Sequence, residues 1–164
     1  MKEFYKLWKI KAIWVANFQP DRVMDLIMFW DIPPAVNQIE THPFDQQIET
    51  QRFLEENNVQ IESWWPFAEG RNNMFWNELL ITLSKKYNKS VAQIILRWLI
   101  QRWVVVIPKS VNKERIIENF NIFDFEITQD DLELIKSLDT KTSSFFDHRD
   151  PEIIKWMGSR KLDI

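Results

Sequence analysis

The sequence predicts an α/β fold with a parallel sheet, and three observations predict it. Short apolar runs of strand length alternate with longer segments of helical periodicity, and Pro, Ser, Asn or Thr stands where those helices would begin. Such alternation leaves two architectures open, an open doubly wound sheet or a piece of a (β/α)8 barrel.

The elements follow in order. The opening MKEFYKLWKIK is helix-like and carries Tyr5. A first strand spans Ala12 to Ala16; after Asn17-Phe18-Gln19, Pro20 sits as the first residue of a helix containing Val23, Leu26, Ile27 and Phe29. A second strand, Ala35 to Glu40, runs through a loop with His42 and Pro43 into a helix with Ile48, Phe53 and Leu54. The third, Val59 to Trp64, is followed by a loop with Pro66 and Gly70. Two helices come next, Glu78 to Tyr87 and Val91 to Arg102, the second capped by Ser90. The fourth strand, Val104 to Ile107, precedes a helix from Lys113 to Phe120 with Asn112 as N-cap. A last helix, Gln129 to Leu138, opens with Thr128 and Asp131 at capping-box spacing. The tail from Lys141 to Ile164 is mixed aromatic and charged and is expected to lie over something.

At 164 residues the chain can bury a real core, yet a complete (β/α)8 barrel takes about 250. The net charge of −3 and pI near 5.5 argue against nucleic acid or an anionic membrane as the main partner. No apolar stretch is long enough to span a bilayer. With no cysteine there is neither a disulfide nor a thiolate site, so the expectation is a soluble, cytoplasmic protein. Two glycines against nine tryptophans is an odd balance for α/β turns, which favour Gly where φ is positive.

The segment VVVIPKSVNKERIIENFNI, Val104 to Ile122, carries the most chemistry. A strand ends at Pro108-Lys109-Ser110 and a helix begins near Lys113, whose free N–H groups and positive dipole end, flanked by Lys109, Ser110 and Arg115, suit a phosphate. The same residues also read as a solvated loop with surface cations. At the ends of the strands stand Asn17, Gln38 with Glu40, Trp64 and Lys109, positions that would share one site in a barrel. Taken singly, they read as a turn former, a buried hydrogen-bonding residue and a core aromatic.

This segment resembles the C-terminal signature of the aldo-keto reductases: Ile-Pro-Lys-Ser, an Arg five residues after the Ser, then Glu-Asn. The run Lys9 to Phe18 is similar to the family's middle signature, with Trp14 in place of a Gly and Ala16 in place of a Ser. The resemblance implies the second half of a TIM barrel across residues 1–164, the fifth to eighth βα units plus the tail. It also implies an NADP(H) site. Lys109, Ser110 and Arg115 would hold the 2′-phosphate, Glu118 and Asn119 the adenine, with Val111 and Asn112 beside them. Asn17 and Gln38 would take the nicotinamide carboxamide, and Trp64 would stack on the ring. The guanidinium of Arg115 would select NADPH over NADH.

The implied activity is reduction of aldehydes or ketones, using a Tyr, Lys, Asp and His that the family draws from its first half. Tyr5 and Tyr87 do not stand at strand ends, His42 reads as structural, and Glu40 and Glu62 read as strand acids facing solvent or helix backbones. His148 stands in the tail with Asp147 and Asp150, and the two histidines have no metal-ligand spacing. The expectation is therefore a truncated or degenerate copy, inactive alone, that keeps part of the cofactor site. The alternatives are a non-catalytic module for a phosphorylated ligand or partner polypeptide, and a chain that does not fold stably. Four strands alone would expose apolar barrel interior and two sheet edges, to be closed by self-association or a complementary N-terminal half. At Trp8, Trp14, Trp65 and Trp103 the family leads one to expect Gly, and each Trp is expected to cost about 1–3 kcal/mol through overpacking or lost turn geometry.

Overall fold

The fold, a computed structural model describing residues 1–160, is a four-stranded all-parallel sheet in the order β1-β2-β3-β4. The strands are β1 (Trp14–Ala16), β2 (Val36–Glu40), β3 (Gln60–Trp64) and β4 (Val105–Val106). Each ladder is short. β1 and β4 have a strand partner on one side only, so their runs stop short of the apolar segments that announce them; Ile13 still accepts a bond from the Ala35 N–H at 2.8 Å. Sequential strand order with helices between is the topology of successive βα units in a barrel wall, and it excludes the doubly wound alternative, in which strand order reverses.

The helices are α1 (Lys2–Lys6), α2 (Pro20–Phe29), α3 (Ile48–Glu56), α4 (Glu78–Tyr87), α5 (Val91–Gln101), α6 (Lys113–Phe120), α7 (Gln129–Lys136) and α8 (Pro151–Ser159). A kinked 3-10 segment, Ala68–Trp76, precedes α4. The caps form where the sequence places them. Ser90 and Gln93 make a complete capping box, and Asn112 accepts from Glu114 and Arg115 N–H. Thr128 Oγ1 accepts from Asp131 N–H, but the Asp131 carboxylate turns to Lys86, Tyr87 and the Thr128 hydroxyl instead of closing the box. That engages Tyr87, as its position away from the strand ends implies.

Side chains alternate across the sheet. Ile39 and Ile61 lie on the face covered by α3 and α5 and join Leu54, Leu80, Leu83, Ile94, Ile95, Trp98, Leu99 and Ile135 in one buried core. The other face, which would line a barrel, carries Trp14, Val36, Gln38, Glu62, Trp64 and Val105 in register. This face is not the purely apolar surface the sequence suggests. Gln38 Nε2 donates to Glu62 Oε1 at 2.6 Å at its centre, with exposed Trp14 and Val105 at its margins.

Of the two mechanisms expected for the tryptophans, overpacking and lost turn geometry, the backbone at three of them points to the second. Trp8, Trp65 and Trp103 have φ of 57°, 51° and 61°, the left-handed region where glycine is at ease. Their indoles do not overpack the core, since Trp8 and Trp103 are 89% and 83% exposed. The cost lies in the backbone, about 1–2 kcal/mol each. Trp14 differs, standing on extended edge strand, exposed and without positive φ.

Candidate functional site

At the C-terminal edge of the sheet three successive strand ends meet. Asn17, in left-handed conformation just past β1, donates its backbone N–H to Gln38 O at 2.9 Å, which pins the loop to β2. The Trp64 indole Nε1 donates to Asn17 Oδ1 at 2.7 Å. Gln38 sits between them, tied to Glu62. The three line a cavity of about 950 Å³, with Trp65, Phe146 and His148 among its other walls. Neither Asn17 Nδ2 nor Gln38 Oε1 has a hydrogen-bond partner among the described residues.

The tail roofs this cavity. Ser143 Oγ donates to Glu40 Oε2 at 2.5 Å and Ser144 N–H to Glu40 Oε1 at 2.7 Å. Arg71 Nη1 donates to Ser144 O, and its guanidinium lies over Phe145. Phe145 then packs against Trp65 and Trp64 with ring centroids 4.3 and 5.4 Å away. His148 stands edge-on to Trp64. The expectation that the tail lies over something is met at this edge by Phe145 and Phe146, whereas Trp156 on α8 is exposed; residues 161–164 lie outside the described residues.

Glu40 corrects the sequence reading, which sets it facing solvent or helix backbone. It is buried, and its carboxylate takes His42 Nε2 at 2.8 Å besides the two serines. His42 Nδ1 accepts the Phe44 and Asp45 N–H groups, so the ring proton lies on Nε2 and points at Glu40. His42 is thus structural and fully buried. Burial alone would raise the Glu40 carboxyl, but the bonds from His42, Ser143 and Ser144 together outweigh it and hold the group below its ordinary value. Asp45 goes the other way, pushed up to about 6 by burial and by the Glu40 charge. Burial holds His148 below the ordinary imidazole value, against the pull of Glu40 and Asp147. Glu40, Asp45 and His148 line a second cavity of about 750 Å³ that shares Asn17, Phe18 and His148 with the first.

The β4–α6 segment leaves the sheet from the same edge, because β4 runs parallel to β3 with Ser63 beside Val106. One expectation changes here. Two of the first N–H groups of α6 are already taken: Asn112 Oδ1 accepts from those of Glu114 and Arg115 at 2.8 and 3.1 Å, and Ser110 Oγ accepts from that of the N-cap Asn112 at 3.1 Å. What remains available are chiefly side chains. Lys109 and Arg115 are exposed and form no ion pair among the described residues. Val111 is exposed, and Glu118 and Asn119 are half-buried on the helix behind them. Gln93 Nε2 donates to Glu118 O and Asn121 O, fixing α6 to α5. Neither cavity is lined by any residue from 109 to 119.

Glu62, which the sequence sets facing solvent or helix backbone like Glu40, instead accepts from Gln38 on the inner sheet face, and Arg71, Ser143 and Ser144 are not singled out by the sequence. Glu62 could have been found only from the register that sets it beside Gln38, and the tail serines carry no sequence signal at all.

Comparison with known proteins bears on the whole arrangement. The model of the Aldo/keto reductase family matches residues 1–140. The chain is 44% identical over 138 residues to glyoxal reductase of Bacillus subtilis, covering 84% of this chain and 49% of that protein. It is 41% identical to aldose reductase C of Dictyostelium discoideum, covering 43% of that protein. Among solved structures, MGS-M4, an aldo-keto reductase enzyme from a Medee basin deep-sea metagenome library, superposes with TM-score 0.88 at 37% identity, over 91% of this chain and 55% of that one. A Bombyx mori aldo-keto reductase solved in complex with NADP gives 0.80 at 30% identity, over 87% and 49%. The chain spans about half the length of the curated relatives it matches.

Proposed function

From the premise that this chain belongs to the aldo/keto reductase family, we propose that residues 1–164 are the cofactor-holding half of an NADPH-dependent carbonyl reductase. The observation that carries the reading is the meeting of Asn17, Gln38 and Trp64 at three successive strand ends under the tail. Asn17 and Gln38 would hold the nicotinamide carboxamide and Trp64 would stack on the ring. Lys109, Ser110 and Arg115 would grip the 2′-phosphate chiefly through side chains, since the N–H groups of Glu114 and Arg115 are already capped by Asn112. Glu118 and Asn119 would contact the adenine, with Val111 and Asn112 beside them.

The bound dinucleotide would supply a hydride; the residues of this half bind and orient it and, with the tail, exclude water. Proton donation to a carbonyl would need a Tyr set near the ring. Tyr87 is tied to Asp131 and Thr128, and Tyr5 lies on α1, so neither serves. In this reading residues 1–164 bind NADPH without reducing a carbonyl, and reduction requires the family's first-half strands. Solved relatives with NADP or NADPH bound support the cofactor assignment.

A second reading, a half-barrel that docks a complementary polypeptide, is favoured by the exposed apolar residues at the two ends of the sheet. These are Trp14, Phe29 and Trp30 at one end and Ile107, Ile117 and Phe120 at the other.

The test of the cofactor site is Arg115→Ala. NADPH affinity should fall about 10-fold or more, the scale of a lost charge-assisted pair, with NADH affinity little changed. Equal losses for the two cofactors would contradict a 2′-phosphate role.

A further inference from the structure

Side-chain amides carry a donor at one corner and an acceptor at the other, so their use in recognition depends on which way each is turned. In this cavity both turns are dictated by chemistry. The indole Nε1–H of Trp64 can only donate, so Asn17 must present Oδ1 to it, 2.7 Å away, which leaves Nδ2 facing elsewhere. The Glu62 carboxylate can only accept, so Gln38 must present Nε2 to it, 2.6 Å away, which leaves Oε1 without a partner among the described residues. The two amides are neighbours because the Asn17 N–H is bonded to Gln38 O, and both line the same cavity. The cavity therefore offers one donor from Asn17 beside one acceptor from Gln38. A primary carboxamide is complementary to that pair, its C=O accepting from Asn17 Nδ2 and its NH2 donating to Gln38 Oε1.

We propose that Glu62 and the indole N–H of Trp64 are positioning groups that lock Gln38 and Asn17 into the order a primary carboxamide needs, so that this half-barrel discriminates among nicotinamide analogues by their 3-substituent. This rests on the cofactor reading above and adds to it two residues that do not themselves have to touch the carboxamide. The structural alternative for Glu62 is a polar filler of the sheet face. A filler would affect stability and leave analogue preference alone.

The experiment is calorimetric titration of the purified chain with NADP, with its 3-acetylpyridine analogue, which keeps the carbonyl but has methyl in place of NH2, and with 2′,5′-ADP, which has no nicotinamide. The chain should prefer NADP over the analogue by about 10-fold, the scale of one buried acceptor left unpaired. In Glu62→Gln, whose amide can donate as well as accept, Gln38 is free to turn. The preference should then shrink to about 2-fold, with 2′,5′-ADP binding unchanged as the check on folding. Trp64→Phe, which keeps an aromatic ring but loses the donor, should reduce the preference in the same way. An unchanged preference in Glu62→Gln would overturn the inference while leaving the cofactor site standing. Failure of the parent chain to bind even 2′,5′-ADP would overturn the cofactor reading and this inference with it.

Discussion

Trp103 shows how a single residue can strain a fold through its backbone rather than its bulk. From sequence, a tryptophan where glycine is expected suggests either a crowded interior or a turn forced out of its geometry. The indole is in fact 83% exposed, and the backbone beneath it is left-handed, with φ of 61°. The glycine preference was legible because turns after helices call for positive φ, while the direction of the side chain was not. Trp103→Gly should therefore raise stability by about 1 kcal/mol, or roughly 2–4 °C in the melting temperature of a domain this size. Trp14 sits on extended backbone, so Trp14→Gly should lower the melting temperature by a similar amount through lost strand propensity. Thermal melts of the two variants decide the matter, and a shift of the same sign in both would contradict it.

Among the elements, the tail and the β4–α6 segment mark the limits of sequence reading. Strands, helices and the caps at Ser90, Asn112 and Thr128 follow from local patterns, and the structure has them. The consequence of the Asn112 cap is not legible in the same way, since a side chain that caps a helix also occupies two of the N–H groups a phosphate would use. The tail was legible only as apolar. Its anchoring needs Glu40 to find serines 103 and 104 residues away, which no local pattern encodes. That anchor should be sensitive to acid. The folded-state carboxyl of Glu40 is held below its ordinary value, so its contribution is present above about pH 4.5 and is lost as the pH falls through the lowered value. Glu40→Gln should mimic the acid state at pH 7 and speed trypsin cleavage after Arg149 several-fold. Unchanged cleavage would mean that the aromatic contacts of Phe145 hold the tail by themselves.

At the scale of the whole molecule, four parallel strands in sequential order, buried on one face by α3 and α5 with α4 packed on α5, reproduce a barrel wall. The parallel sheet was legible from the alternation of strands and helices, and the choice between barrel and open sheet rested on resemblance until strand order settled it. The inner face was not legible, because its polarity arises from Gln38 and Glu62 being neighbours in register rather than in sequence. The site is drawn from both ends of the chain, Asn17 near one and His148 near the other. Ligand grip and folding should thus be coupled, and the measurement that tests this most directly is a near-UV circular dichroism melt of the chain with and without NADPH. A cooperative transition that rises by roughly 5–10 °C when NADPH is at about 100 times its Kd, and much less with NADH at equal concentration, is the predicted result. Superimposable melts in the presence and absence of NADPH would contradict it.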